Sequence, residues 1–366
     1  MRGIRPFARN DAPAVARLYE LVVRSGAASP PPGLAAYFER TLLDHPWADA
    51  EIPSLVIEDE AGEVVAFQGS HVRRARFDGQ AIRIGCAGQL VAHPRVRSRG
   101  AGAQLVNAYL QGPQELTITD GATHTMRQIW TLLGGHMAHL ECVSWSLVFA
   151  PAQLVAELFK PTQRRSMGPA RRALAQFDGA AQRALQILLP PPWPRVVAES
   201  LNPATMLEHL PSIVGPLRLY LDYDRPYLDW LFRETAAVGV RGRLVAQLIR
   251  EPRRRRILGW YVYYLKPGGS AQVLQIAVGE RDAGAVIDHL LNHAYAGGAA
   301  AVRGRIEPRL LGVLGERRSL LQFSGAALVQ ADDHRILDAI ASGQSLLTRL
   351  DGEWWMGHHL LGFSQP

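Results

Sequence analysis

The sequence predicts a mixed α/β protein made of two units, each built round a mixed sheet, with a helical connector between them. Three observations predict this. At 366 residues the chain is longer than one hydrophobic core commonly organises. Through residues 1–150, β-rich runs alternate with amphipathic helical stretches, and a similar order of elements recurs from residue 216 onward. Between them lies an alanine-rich, arginine-rich stretch that ends in Pro190-Pro191-Pro192. The expected organisation is therefore 1–150, a connector over 151–215, and 216–366.

Apolar residues make up 48% of the chain and charged residues 20%, the balance of a globular protein that folds throughout. The formal net charge is +7, and Lys160 and Lys266 are the only lysines. Arginine favours planar contacts to phosphate and carboxylate, so this excess suits an anionic co-substrate, an acidic carrier protein, nucleic acid or anionic lipid without choosing among them. Two cysteines, Cys86 and Cys142, give neither a disulfide framework nor a metal-binding pair, so a reducing cytoplasm is the expected compartment. Met1 to Asp11 carries Arg2, Arg5 and Arg9 but no signal-like apolar run, and no transmembrane segment is expected.

Element by element, Ile4 to Phe7 reads as a short strand, followed by an Asn10/Asp11 cap and a helix on which Val15, Leu18, Tyr19 and Val22 share a face. The break at Ser29 to Gly33 precedes a helical Leu34 to Leu43, which His45-Pro46 stops. Leu55 to Ile57, Glu63 to Arg76 and Gln80 to Val91 are strands, the last two joined by Asp78-Gly79, a strong hairpin signal. After His93-Pro94 a basic, glycine-containing loop enters the helical pattern Ala103 to Leu110. A strand at Leu116 to Thr119, a helix at Thr123 to Leu133 closed by Gly134-Gly135, and a strand around Cys142 to Phe149 complete the first unit. The connector is read as helical at Ala152 to Phe159 and Ala170 to Leu188. In the second half Leu217 to Thr235 is mostly helical, Arg243 to Ile249, Ile257 to Leu265 and Ala271 to Val278 are strands, and a helix runs from Arg281 to Tyr295. Further strands follow at Ala300 to Arg305, Ala326 to Val329 and Ser345 to Leu350, with helices at Pro308 to Leu314 and His334 to Ile340.

The chemistry is concentrated in Leu90 to Leu105, where Arg97, Gly100 and Gly102 stand at the spacing R-x-x-G-x-G. Small residues there let successive backbone N–H groups face an anion, and the dipole of the following helix favours negative charge at the same point. In its setting of strand, basic loop and helix, this run resembles motif A of the GNAT (GCN5-related N-acetyltransferase) superfamily, whose hallmark is R/Q-x-x-G-x-G/A. The resemblance implies that Arg97, Ser98, Arg99, Gly100, Ala101, Gly102 and Ala103 hold the pyrophosphate of acetyl-CoA or another acyl-CoA. It further implies that the amides of Val91 and His93 align the pantetheine, with a strand N–H near Val91 for the oxyanion. The implied activity is N-acylation of a small amine or amino-sugar-like acceptor, with an acyl carrier protein as a further partner; nucleic acid and metal are not expected.

Two family features are missing. Trp130 stands where many members carry the tyrosine that protonates the leaving thiolate, and indole is no acid at neutral pH. Gln89 stands near the usual glutamate base, and an amide cannot take a proton from an ammonium. Histidines are the candidate replacements, because imidazole titrates near neutrality: His71 and His136 foremost, with His93, His124 and His139 beside them. Cys86, on the central strand, lacks an activating neighbour and reads as a buried thiol. Without acid and base, the alternative is a non-catalytic acyl-CoA or acyl-carrier sensor or scaffold; an RNA-associated basic scaffold is a third reading.

The second half resembles a degenerate GNAT-like unit by pattern alone, since Val278-Gly279-Glu280 enters the helix at Arg281 without the glycine motif. Tyr220 to Trp230 is aromatic and acidic, either lining an acceptor groove or packing into the core. Arg253 to Arg256 reads as a solvated hairpin tip. His358-His359 lacks companions at metal-ligand spacing, and Trp354-Trp355 is expected to anchor the tail or cover a groove.

Overall fold

The computed structural model describes residues 3–24, 29–158, 178–179, 189–253 and 256–356. The expected helix Ala170 to Leu188, the middle of the Arg253 to Arg256 run and His358-His359 therefore lie largely or wholly outside the described residues. The fold is mixed α/β with two mixed sheets, each in its own compact unit. The units are not consecutive stretches, however. One comprises 1–142, 216–240 and 325–366, and the other 143–215 and 241–324. The expected boundary at 215/216 coincides with a change of unit, and the expected boundary at 150 falls eight residues after another, at 142/143. The stretch read as a connector belongs with the second unit.

The first unit holds strands β1 (Ile4–Pro6), β2 (Leu55–Glu58), β3 (Val64–Phe77), β4 (Gln80–Ala92), β5 (Leu116–Thr119) and β6 (His136–Met137). The second begins with β7 (Val143–Val148) and β8 (Val197–Ser200). The chain then returns to the first for β9 (Leu219–Leu221), and to the second for β10 (Arg243–Arg250), β11 (Ile257–Leu265), β12 (Ser270–Val278), β13 (Ala301–Arg305) and β14 (Leu320–Phe323). It ends in the first with β15 (Leu328–Gln330) and β16 (Ser345–Leu346). The first sheet runs β1-β2-β3-β4-β5-β15-β6, and the second β14-β7-β13-β12-β11-β10-β8. The strand expected to complete the first unit, around Cys142 to Phe149, is β7, and it lies instead in the second sheet, antiparallel to β13 and β14. The first sheet places β15 beside β5.

The helices are α1 (Ala12–Tyr19), α2 (Leu34–Phe38), α3 (Pro94–Arg97), α4 (Ala101–Leu110), α5 (His124–Leu132), α6 (Pro151–Leu158), α7 (Pro203–Val214), α8 (Arg225–Ala236), α9 (Ala283–Ala296), α10 (Leu311–Glu316) and α11 (His334–Ala341). Side chains alternate across a strand, so the first sheet is covered on both faces. Phe67 and Val91 pack with Val15, Tyr19 and Phe38 of α1 and α2, while Val65, Ala66 and Val72 pack with Leu105, Val106 and Tyr109 of α4. The shared face expected on α1 is buried at Val15, Leu18 and Tyr19. The β3–β4 hairpin turns at Asp78 and Gly79, both at positive φ (47° and 81°), the type I′ geometry that an Asp-Gly pair favours. In the second unit, Val286, Ile287, Leu290 and Leu291 of α9 pack on Tyr261, Tyr263 and Ile276 of the sheet, and β12 pairs in parallel with β13 after α9. Antiparallel strands, a helix and a parallel strand thus recur in both units.

Candidate active site

β4 and β5 run in parallel only from Ile84 to Cys86 against Leu116 to Ile118, although β4 continues along β3 to Ala92. Beyond Cys86 the two strands part. A cavity of about 350 Å³ fills the gap, lined among others by Gly88, Gln89, Leu90, Thr119, Trp130 and Glu353. At the parting, two β4 residues, Gln89 and Leu90, stand against Gln68 alone on β3, which is a β-bulge. Gln89 takes positive φ, 48°, a conformation that costs a non-glycine residue roughly 1 kcal/mol. The buried Gln68 amide donates to the Gly88 carbonyl at 2.7 Å and to that of Gly69 at 3.0 Å, fixing the bulge.

The backbone along this edge corrects one expectation. The N–H of His93 donates to the Val65 carbonyl at 2.8 Å, so it is turned toward β3. Strand alternation turns Val91 the same way, opposite Phe67. Neither amide faces the gap. Leu90 and Ala92 face it instead, and the Ala92 carbonyl there accepts from Arg97 Nε at 3.1 Å.

The turn that follows is tighter than a loop. Residues 94–97 form α3, capped by the His93 ring, which accepts from the Arg95 N–H. The amides of Ser98, Arg99 and Gly100 are used within the turn, donating to the carbonyls of Val96, Val96 and Arg97. Gly100, at φ 72°, then starts α4 without a side-chain cap. The first-turn N–H groups of Ala101, Gly102 and Ala103 have no acceptor within α4 itself. A Cβ on Gly102 would meet only Leu90 Cδ2, at 3.7 Å, so this turn abuts a residue that lines the cavity. The side chains of Arg97 and Arg99 are exposed.

A carboxylate enters from the far end of the chain. Glu353 Oε1 accepts from Thr119 Oγ1 at 2.7 Å, and the carboxylate also accepts the backbone N–H of Gln89. Cβ atoms placed on Gly88 would fall on Glu353 Oε2, and on Gly121 would come within 3.2 Å of Oε1, so the absence of side chains at both positions makes room for this carboxylate. The turn bearing Glu353 is held by several bonds. Its own N–H donates to Asp120 Oδ1 at 3.1 Å, Asp351 Oδ2 accepts from the Thr348 N–H and hydroxyl, and Tyr223 donates to Asp351 Oδ1. Arg73, fully buried, donates through Nε to the Asp351 carbonyl at 2.7 Å. Burial, and then the charge of Asp120, push the Glu353 carboxyl up to about 8. Folding therefore raises this group above its unfolded value near 4.5, and its contribution to stability is complete below that value and lost as pH rises through 8. Glu353→Gln should accordingly gain in Tm relative to the natural protein between pH 5 and pH 9. An offset constant across that range would mean that the carboxyl titrates as it does in solution.

No family model matches the sequence, and no curated protein matches it. Solved structures do. A GCN5-related N-acetyltransferase from Kribbella flavida superposes with a TM-score of 0.56 at 16% identity, over 90% of this chain and 71% of that one. A protein of unknown function from Enterococcus faecalis V583, described as a probable N-acyltransferase, gives 0.58 at 8% identity over 90% and 72%. A GCN5-related N-acetyltransferase from Anabaena variabilis gives 0.51 at 13% identity over 90% and 72%. The chain has the GNAT fold.

Within the GNAT fold of this chain, the histidines put forward as bases do not line the cavity. His71 is 1% exposed, its Nε2 is hydrogen-bonded to the Gln89 side chain, and burial depresses it to about 3. It is neutral and shut away from solvent. His136, on β6, and His139 and His124 are exposed, and none of them borders the cavity. Trp130 does border it, buried and pressed by Gly135, where a Cβ would come within 2.9 Å of the indole. The aromatic segment 220–230 is core rather than groove: Tyr227 stacks on Trp47 at 3.5 Å, and Tyr223 and Trp230 are buried beside it. Of the tail pair, Trp355 is buried against Trp230 and Trp354 borders the cavity. Cys86 is buried, and burial raises its thiol. Among the described residues, no group of three or more His, Cys, Asp or Glu is placed to hold a metal ion, and no helix is long and apolar enough to cross a membrane.

Proposed function

We propose that this chain is an acyl-CoA-dependent N-acyltransferase, with acetyl-CoA the expected donor and a small amine or amino-sugar-like molecule the acceptor. The observation that carries this reading is one junction: a sheet that parts after Cys86, a cavity in the gap, and the N-terminus of α4 beside Leu90. The diphosphate of CoA accepts from the N–H groups of Ala101, Gly102 and Ala103, where the helix dipole adds positive potential, and the exposed Arg97 and Arg99 contribute charge. The pantetheine amides pair with Leu90 and Ala92 as a short added strand, where β5 has parted from β4. Attack on the thioester carbonyl generates an oxyanion, for which the Leu90 N–H at the bulge is the available donor.

The second unit is the degenerate one in this reading. Its strand-to-helix connection places Asp282 at the N-cap of α9, and an acid there opposes a diphosphate. The exposed arginines also suit an acyl carrier protein as an alternative donor, and the cytoplasm is the compartment this reading expects. The sensor reading draws on Trp130 and Gln89, which occupy the acid and base positions without the chemistry. Calorimetry with acetyl-CoA and a long-chain acyl-CoA, followed by thiol release with a panel of amines, tests the proposal. Saturable 1:1 binding with amine-dependent thiol release is expected. Binding without release would favour the sensor, and absence of binding would remove both.

A further inference from the structure

We infer that Glu353 is the proton acceptor of this site, and that the acceptor substrate is therefore an amine that arrives as its ammonium. The inference rests on the acyltransferase reading above. Among the described residues that line the cavity, Glu353 is the sole carboxylate, and no histidine is present. It is not a surface acid turned inward by chance. Thr119 and the Gln89 amide grip it from the two strands that part, and Gly88 and Gly121 leave room for its oxygens. Arg73 and Asp120 hold the turn that carries it. Through its bond to the Gln89 N–H, the carboxylate reaches the strand position at which an amide had replaced a carboxylate in the sequence. One end of the chain thus restores a charge that the central strand lacks.

The step balances simply. The ammonium gives one proton to the Glu353 carboxylate, and the freed amine lone pair forms the C–N bond to the thioester carbon. The C–S bond breaks, and the thiolate leaves with the second nitrogen proton. Glu353 then returns its proton to water. The groups that act on Glu353 electrostatically are Asp120, after β5, which raises its affinity for a proton, and Arg73, on β3, which lowers it; Cys86 on β4 and Tyr109 on α4 are the other titratable groups coupled to it. Its value near 8 is suited to a base working close to neutrality.

Glu353→Gln keeps an oxygen for Thr119 and Gln89, so the turn should persist, and acetyl-CoA affinity measured by calorimetry should change less than threefold. With n-butylamine, an ammonium at pH 7.5, kcat should fall 100-fold or more, with little change in KM. With hydroxylamine, already neutral at that pH, the loss should be under tenfold. The natural protein's kcat/KM for hydroxylamine should rise with pH through the titration of Glu353, and the variant's should not. Equal losses for the two nucleophiles, or an unchanged pH profile, would overturn the assignment while leaving the acyltransferase intact. If the natural protein released no thiol with any amine, the parent reading would fall, and this one with it.

Discussion

Gly102→Glu should abolish acetyl-CoA binding without weakening the fold. The two effects separate because of where Gly102 sits. It is the second residue of α4, with ordinary backbone geometry and space for a side chain, as Leu90 Cδ2 at 3.7 Å is the nearest atom its Cβ would meet. A carboxylate in the first turn of a helix favours the helix by a few tenths of a kcal/mol up to about 1 kcal/mol. It also occupies the place proposed for the diphosphate. Two like charges about 4 Å apart near a protein surface repel by roughly 4 kcal/mol, which is two to three powers of ten in Kd. Gly102→Ala is the control and should bind normally. Gly100→Glu should lose binding too, but φ of 72° there adds backbone strain, so its stability should drop. Near-normal binding by Gly102→Glu, measured calorimetrically beside an unchanged Tm, would show that the anion is held elsewhere.

Arg73→Met should cost on the order of 3 kcal/mol of stability, the scale for removing one member of a buried polar assembly. The guanidinium is 0% exposed. It lies 5.6 Å from the Tyr227 ring centroid, its Nη1 donates to the Val72 carbonyl, and Nη1 stands 3.1 Å from His45 Nε2. Burial, and then Arg73 itself, hold His45 well below its usual pKa, so that ring is neutral, with Nδ1 accepting the Trp47 N–H at 2.9 Å. Methionine would leave the Asp351 carbonyl without its donor, in a place water does not reach. Urea unfolding should show a lower midpoint with an unchanged m-value. Turnover should fall as well, because the turn that presents Glu353 loses its tie to β3. A variant as stable as the natural protein would mean that the Asp351 carbonyl finds another partner.

What was legible in the sequence was local. The hairpin pair Asp78-Gly79 is adjacent in the chain, the face of α1 spans eight residues and the strand-to-helix turn at Arg97, Gly100 and Gly102 spans six, because tight turns and helix faces are short-range geometry. The bulge was less legible: Gln89 carries the positive φ that glycine usually supplies, and only its pairing against Gln68 reveals the extra residue. Which amides face the gap depends on strand phase, and so Val91 and His93 were assigned to the wrong side. Glu353 was out of reach, 234 positions from the Thr119 hydroxyl it accepts from. The available hint was an acidic pair, Asp351 and Glu353, leading into Trp354-Trp355, since carboxylates beside buried aromatics seldom lie idle. The histidines drew attention by residue type, and burial or exposure then decided against them.

The chain is woven rather than strung, crossing from one unit to the other four times. Scissors placed at residue 150 would therefore free no self-sufficient piece. The leading fragment would keep the turn that opens α4, but lose β15 from its sheet and the acid that lies in its cleft, while β7 dangled without neighbours. Any shuffling of halves among proteins built this way must carry both ends of the thread together.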